Sequence, residues 1–327
     1  MQRIFHNTTY DFIRWWKVAV GLTVAFIVLG IGSLVWKGVN YSIEFTGGTL
    51  KQIQFATPPN PSKIRSVLDA AGVKDAEIQQ FGSDSMFTLR VHGASSVASQ
   101  DKGAELVSKR VDSALVGAFG TGVKVLRTEA VGPRVGNELR RNAVLAILIS
   151  FLVTLIYLAI RFEWRFGLAA IIATGHDVLT TLAFLKLMHL EVSLTVVAAL
   201  LTVLGYSLND TIIIFDRVRE NLRKGRKESL YDVLNRSINE TLPRSILTHA
   251  TVVAATLSLL IFAGEVIRPF NWVMLFGIIT GTFSSIYIAG PVLLWIERKY
   301  PRATPWKTSS TATATSPTRP SPATATR

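Results

Sequence analysis

The sequence predicts an α-helical membrane protein with six transmembrane helices and a small ferredoxin-like α+β domain inserted between the first two. Three observations carry that expectation: six apolar stretches of bilayer-spanning length, one long polar segment that concentrates charge, and a lopsided placement of Lys and Arg around the stretches. The chain has 327 residues with 35 Lys+Arg and 22 Asp+Glu, and 24 of these charges fall within residues 37–141. The apolar stretches run for about 18 to 27 residues, the length a helix needs to cross a hydrocarbon core. The formal charge of +13 would ordinarily raise nucleic acid as a partner. Here the basic residues flank apolar stretches, so membrane topology explains them and no nucleic acid is expected. The absence of cysteine excludes disulfides and thiolate chemistry.

The first stretch, Val18–Trp36, follows Arg3, Arg14 and Lys17 and has no small-residue cleavage site at Ser33-Leu34-Val35-Trp36-Lys37. It is therefore expected as an uncleaved helix over 18–36 behind an N-terminal segment of residues 1–17. The other five, within residues 142–300, are Ala143–Ile160, Leu168–Leu187, Val192–Phe215, Ile246–Ala263 and Phe270–Ile296, with a basic loop expected at 216–244. If the N-terminus is cytoplasmic, nineteen Lys and Arg lie on the inner side against Lys186 and Arg268 on the outer. The long polar segment is exempt from that rule, because long loops cross regardless of charge. Both termini are thus expected in the cytoplasm and residues 37–141 outside it. Pro301–Arg327, with 22 of 27 residues Thr, Pro, Ala or Ser, is expected as a disordered cytoplasmic tail.

Within 37–141, Thr49–Phe55 alternates as a strand and Asn60-Pro61 opens a helical pattern closed by Gly72. Glu77–Phe81 and Met86–Val91 read as strands about a Gly82-Ser83-Asp84-Ser85 turn; Gln100–Phe119 reads as a helix and Val123–Ala130 as a last strand. The order βαββαβ is the split βαβ unit.

Two acidic residues fall inside the spans, Asp177 in the third and Asp210 in the fourth. A carboxylate at the centre of a membrane helix costs roughly 2.5 to 3.5 kcal/mol on insertion scales, so it faces a bundle interior and marks either a pathway or a structural hydrogen bond. Helical spacing puts Ser207 and Thr211 on one face with Asp210, and Thr174 and Thr181 with Asp177. In the fifth span Arg244, Thr248, Thr251, Ala255 and Ser258 form a small polar stripe expected to pack against an acidic helix. Arg244 also reads as a basic flank after Pro243 at a helix start. His176 beside Asp177 is either a proton-relay assistant or a packing residue. In the sixth span Gly277, Gly281 and Ser285 recur at the spacing that lets helices approach closely.

Enzyme and metal signatures are weak. The five histidines lack ligand spacing, so no metal is expected. Gly47-Gly48-Thr49 has neither the spacing nor the Lys of a phosphate loop. Two aspartates on adjacent spans raise an intramembrane aspartyl protease, but the His176-Asp177 and Asn209-Asp210 pairs, which follow Gly175 and Leu208, do not give the Gly-containing pattern that such enzymes use.

Several motifs in order along residues 10 to 300 resemble the SecF family, membrane subunits that work with SecD beside the Sec protein-export channel. They are Tyr10-Asp11-Phe12, Phe45-Thr46-Gly47-Gly48-Thr49, Val131-Gly132-Pro133-Arg134-Val135-Gly136-Asn137-Glu138-Leu139, Gly175-His176-Asp177-Val178, and Gly205-Tyr206-Ser207-Leu208-Asn209-Asp210-Thr211 continuing to Glu220. The resemblance implies a six-helix half of the RND-transporter type in a bacterial cytoplasmic (inner) membrane. It further implies pairing with SecD, work beside a SecYEG-type channel on exported polypeptide, and contact with membrane lipid. The resemblance also implies that the proton-motive force drives late steps of export, with no cofactor and no enzyme activity expected. Asp210 falls where the family has its intramembrane carboxylate and Arg244 where it has an Arg in the next helix; Asp177 is secondary in that proton pathway. Gly47-Gly48 and Gly132-Pro133 are expected as joints of an outer domain that binds emerging polypeptide weakly. The Thr/Ala/Pro tail has no counterpart in the family pattern. A non-conducting scaffold is the alternative to a proton-coupled subunit.

Overall fold

The computed structural model describes residues 8–74, 76–92, 103–224 and 228–301. Most of the Thr/Ala/Pro tail lies outside the described residues, as do the first three residues of the helix expected from Gln100. Among the described residues six helical rods are long and apolar enough to cross a membrane. The first is α1 (Trp16–Lys37) with a short 3-10 turn before it. Trp16 and Trp36 stand near its two ends, about 30 Å apart at 1.5 Å per residue, which matches the hydrocarbon thickness that interfacial Trp residues bracket.

The chain then makes a short helix, α2 (Ile43–Thr46), and enters the α+β domain: β1 (Gly48–Phe55), α3 (Pro61–Ala70), β2 (Glu77–Phe81), β3 (Ser83–His92), α4 (Gly103–Phe119) and β4 (Val123–Val131). Asn60 caps α3 by accepting from the Ser62 N–H at 2.9 Å, with Pro61 as the first helical residue. The sheet order is β2-β3-β1-β4, all neighbours antiparallel. Alternate residues of β1 and β3 (Ile53, Phe55, Phe87, Leu89, Val91) turn to the helices and form a core with Ile64, Leu68, Val111 and Leu115. Buried Lys51 lies on the same side and reaches Asp112 at 2.6 Å.

The first and last strands leave the domain side by side, since Gly48 pairs with Val131. There the two Gly-containing turns pack against each other. Gly47 has φ +74°, and a Cβ on it would lie 2.8 Å from Pro133 Cα; a Cβ on Gly136 would lie 2.9 Å from the Gly47 nitrogen. Pro133 also starts α5 (Pro133–Arg161), ten residues before the apolar stretch, so its first two turns precede the span. Further ties lock the domain to the helices. Val192 exchanges backbone hydrogen bonds with Asn40 and Ser42 at 2.7 and 3.0 Å. Lys186 Nζ donates to the Gly38 carbonyl at 2.7 Å, a tether in place of the snorkelling its sequence position suggests.

After α5 come α6 (Trp164–Leu187), α7 (Leu194–Arg223), α8 (Leu230–Phe262) and a sixth rod of α9 (Arg268–Ser284), a π-helical turn (Ser285–Ala289) and α10 (Gly290–Lys299). Pro291 has no N–H for the carbonyl four residues back, and the widened turn lies directly before it. More than half of the apolar windows of α6 and the sixth rod are buried, against 11 % for α1, α5 and α8. The core is therefore α6, α7 and α9–α10, with the other three around it.

The segment 216–244, expected as a loop, is largely a helical hairpin. α7 continues to Arg223 and α8 already starts at Leu230, capped by Ser229. Charged residues suit helices that emerge into water, and here they pair: Arg217 with Glu240 at 2.5 Å and Glu220 at 2.6 Å, Lys224 with Glu220 at 2.9 Å. Pro243 sits inside α8 and is not its start.

Gly38 and Gly47 separate strain from crowding. Both have a φ that favours glycine, but a Cβ on Gly38 meets nothing within 4 Å. Gly38→Ala should lower stability by about 1–3 kcal/mol from backbone strain. Gly47→Ala should lower it further, because backbone of α5 has to move. Thermal unfolding of the solubilised variants checks the order.

Candidate functional site

The spans read apolar, polar, apolar at matching levels. Toward the end of the bundle that adjoins the α+β domain Leu185, Val196, Ala199, Val203, Val273, Met274 and Ile278 pack together. Toward the opposite side Leu158, Phe166, Ala173, Ile214, Phe215, Ile238 and Ile286 belong to a second cluster. Between the clusters lies a belt of buried polar side chains: Asp177 of α6, Ser207, Asp210 and Thr211 of α7, Ser245 of α8, Ser284 and Ser285 of the sixth rod.

Small residues bring the helices close enough to build this belt. α7 and the sixth rod run parallel, and three positions spaced four residues apart face each other. A Cβ on Gly277 would overlap Val203, one on Gly281 would lie 2.9 Å from Ser207 Cβ, and the Ser285 hydroxyl meets that of Thr211 at 2.8 Å.

The two aspartates occupy different environments. Asp177 is 1 % exposed and fully engaged: Oδ2 accepts from the hydroxyls of Ser207 and Ser284 (2.8 Å for the latter), and Oδ1 lies 3.1 Å from His176 Nδ1. It thereby ties three helices together. Asp210 is equally buried, yet only Oδ1 is engaged, by the Ser245 hydroxyl, and Oδ2 has no hydrogen-bond partner among the described residues. The aspartates share no hydrogen bond, so the geometry of a carboxyl dyad is not formed. Thr174 and Thr181 are buried beside Asp177, each with its hydroxyl on the carbonyl four residues back.

Arg244 and its stripe are placed otherwise than expected. Arg244, Thr248, Thr251, Ala255 and Ser258 are all exposed, and Arg244 makes no hydrogen bond or ion pair among the described residues. Successive residues on a helix are about 100° apart; with Ser245 turned to Asp210, Arg244 projects past the edge of α7. The adjoining face of α7 is also exposed and small or polar, with Ala198, Thr202, Gly205 and Asn209. The inward face of α8 is the one through Ser245 and His249, whose Nδ1 lies 2.8 Å from the Thr282 hydroxyl. The sequence reading missed both residues, although their i, i+4 spacing one position off the Arg244 stripe was available. Among the described residues no three His, Asp or Glu side chains gather in a way that would hold a metal ion.

The motif Tyr10-Asp11-Phe12 is a strap across the N-terminal part of α8. The Tyr10 N–H donates to Asn239 Oδ1 at 3.0 Å and the Asn239 amide returns a bond to the Tyr10 carbonyl at 2.8 Å. The Ile13 N–H donates to Asn235 at 3.0 Å, and Ile13 packs under Gly290. Asp11 accepts from the Tyr231 hydroxyl at 2.6 Å and the Asn235 amide at 2.8 Å. These donors, Tyr231 foremost, hold the Asp11 carboxyl below its ordinary range.

Comparison with known proteins gives a consistent picture. The family described as protein export membrane protein SecD/SecF, C-terminal, matches residues 111–299, and the SecD/SecF GG motif matches residues 32–59. The protein translocase subunit SecF of Gemmatimonas aurantiaca is 64 % identical over 305 residues, covering 92 % of this chain and 91 % of that protein. SecF of Vibrio alginolyticus is 42 % identical, covering 88 % and 89 % respectively. The crystal structure of SecDF, a translocon-associated membrane protein from Thermus thermophilus, superposes with a TM-score of 0.78 at 35 % identity, covering 89 % of this chain. A crystal structure of SecDF in a super-membrane-facing form gives 0.65 at 34 % identity over 90 % of this chain. The chain spans 39 % and 40 % of those two SecDF chains.

Two predictions follow from the bonding. Asp177→Ala strands the hydroxyls of Ser207 and Ser284 and should destabilise the bundle by on the order of 1–3 kcal/mol for each stranded donor. Asp210→Asn keeps the acceptor for Ser245 and should change stability by less than about 1 kcal/mol; denaturant titration in detergent separates the two. For the strap, the folded-state value of Asp11 is lowered, so its contribution is complete above the ordinary carboxylate range and fades as pH falls through the lowered value. Protection of the Tyr10 and Ile13 amides against hydrogen exchange, relative to the intrinsic rate at each pH, should fall under acid, and the Asp11→Asn variant should lose that dependence.

Proposed function

The chain belongs to the SecF family of protein translocase subunits, and from that premise we propose that it is the proton-coupled partner of SecD in late steps of protein export. Members of the family are named as translocase subunits and not as enzymes, and the chain is a multi-pass membrane protein. The reading places it in the cytoplasmic membrane of a bacterium with both termini inside, in keeping with the charge asymmetry of its loops. It acts beside a SecYEG-type channel on exported polypeptide, and the proton-motive force replaces any cofactor.

One observation carries the proposal: Asp210 is buried with one oxygen unpaired, next to an α7–α8 face that turns small and polar residues away from this chain. Lipid-facing surfaces of α1 and α5 instead show Val18, Leu22, Leu29, Leu148, Leu152 and Ile156. Small residues with hydroxyls suit close contact with other helices, so this face receives the SecD half, and Arg244 and Thr248 come to lie in that contact. A carboxyl's affinity for a proton depends on its solvation and on the distance to the nearest cation. A shift of the two halves that changes the separation of Asp210 and Arg244 would therefore load or release a proton. Each elementary charge crossing the potential yields about 2.3 kcal/mol per 100 mV, enough to bias a two-state rearrangement roughly fiftyfold. Ser207 and Thr211 support the same polar face, and Asp177 acts mainly as the anchor of the belt.

The test is export into vesicles that hold the complex with SecD, with and without an imposed pH gradient. Asp210→Asn and Arg244→Met should abolish the gradient-dependent stimulation while leaving assembly intact, and Asp177→Asn should be milder. A wild-type response in Asp210→Asn would leave only a scaffold role. Orientation is checked separately with single cysteines, which are unique labels in this cysteine-free chain: position 66 should react from outside intact cells and position 224 should not.

A further inference from the structure

A cleft of about 640 Å³ lies between the open face of the outer sheet and the outer ends of the membrane helices. Its floor is regular. In the strand register Gln79 opposes Thr88, Thr88 opposes Gln52 and Gln52 opposes Arg127, so one row of side chains crosses all four strands. The row turns away from the helix-covered core, because its neighbours along the strands, Ile53 and Phe87 among them, fill that core. Glu191 of the α6–α7 turn and Trp272 of α9 line the opposite side.

The charges around the cleft cancel within the protein. Arg90 pairs with both Glu77, at 3.2 Å, and Glu191; Arg127 pairs with Glu129; and Glu44 accepts from the Leu194 N–H at 2.6 Å. Arg268, also at the rim, is engaged as well. A site so neutralised has no preference for an anionic headgroup or phosphate. By contrast, the side-chain amides of Gln52 and Gln79 have no hydrogen-bond partner among the described residues. A primary amide offers donor and acceptor together, the complement of a peptide unit, and Leu50 and Trp272 supply apolar contact without shape selection. Three strand spacings of about 4.8 Å give a floor about 14 Å across, the reach of roughly four extended residues.

We propose that this cleft holds a short extended segment of unfolded polypeptide, gripped through its main-chain amides by Gln52 and Gln79 and therefore with little regard to sequence or charge. The proposal rests on the reading of the chain as an export subunit and adds the place and manner of contact. It also gives the Arg90–Glu191 pair a role, since that bond fixes the sheet over the helix ends and so sets the width of the cleft.

The test uses the full chain with its SecD partner in proteoliposomes. A cysteine is placed at Thr88 on the floor or at Ser66 on the far, helix-covered side, and a stalled export intermediate carries a thiol-reactive crosslinker. Thr88→Cys should crosslink about tenfold more than Ser66→Cys, and adding Gln52→Leu with Gln79→Leu should remove most of that excess. Segments of net positive, neutral and negative charge should crosslink alike. Equal yields at the two positions overturn the proposal. So does labelling of position 88 by a photoactivatable phospholipid that unfolded polypeptide does not displace. The export reading is scored independently in the same vesicles by the pH-gradient response. A retained response with no crosslink removes the cleft alone, whereas crosslinks without a response keep the cleft and remove the coupling.

Discussion

Inside a bilayer there is no water to complete a hydrogen bond, so a buried polar group must find its partners on neighbouring helices. In this protein that requirement is concentrated in one layer, where Asp177 collects the hydroxyls of Ser207 and Ser284 between two apolar clusters. Much of the rest of the bundle serves that contact. Gly277 and Gly281 let α9 lie against α7, and the π turn at Ser285–Ala289 lies where the sixth rod supplies Ser285 to Thr211. The apolar clusters above and below keep the layer dry and the hydroxyls committed to the carboxylate.

Against this saturated anchor, Asp210 stands out by what it lacks. Its environment within one chain is half complete, with Ser245 on one oxygen and none on the other. The adjacent surface has the composition of a helix contact, not of a lipid contact. One aspartate thus holds the bundle while the other keeps an oxygen free, and the similar solved structures are SecDF chains more than twice the matched length. The outer domain is joined to the same frame through Gly47 and Pro133, the Lys186 tether and the Arg90–Glu191 pair. The helix that carries Asp177 thus also carries the Lys186 tether to the segment before the α+β domain.

Much of this was legible in the residues. Bilayer length marked the six spans, and strict alternation in β1 and β3, with a capped α3 between, yielded the split βαβ unit. The Gly277-Gly281-Ser285 spacing correctly indicated close packing. What escaped the sequence depended on rotation and on partners. A one-residue offset in α8 decides whether Arg244 or Ser245 meets Asp210, and no periodicity resolves that when both faces carry small polar residues. The hairpin within 216–244 was hidden because hydropathy ends where helices leave the membrane, while salt bridges carry them farther. The strap of Tyr10-Asp11-Phe12 relies on side chains more than two hundred residues away, beyond any local pattern.

The central claim is that Asp210, and not Asp177, exchanges the proton. Difference infrared spectroscopy of the chain assembled with its SecD partner, recorded across a pH jump, observes carboxyl protonation directly. The account predicts a buried carboxylic-acid C=O band that appears and disappears with pH in the wild type, is absent in Asp210→Asn and persists in Asp177→Asn. A band that survives Asp210→Asn and vanishes in Asp177→Asn would contradict it.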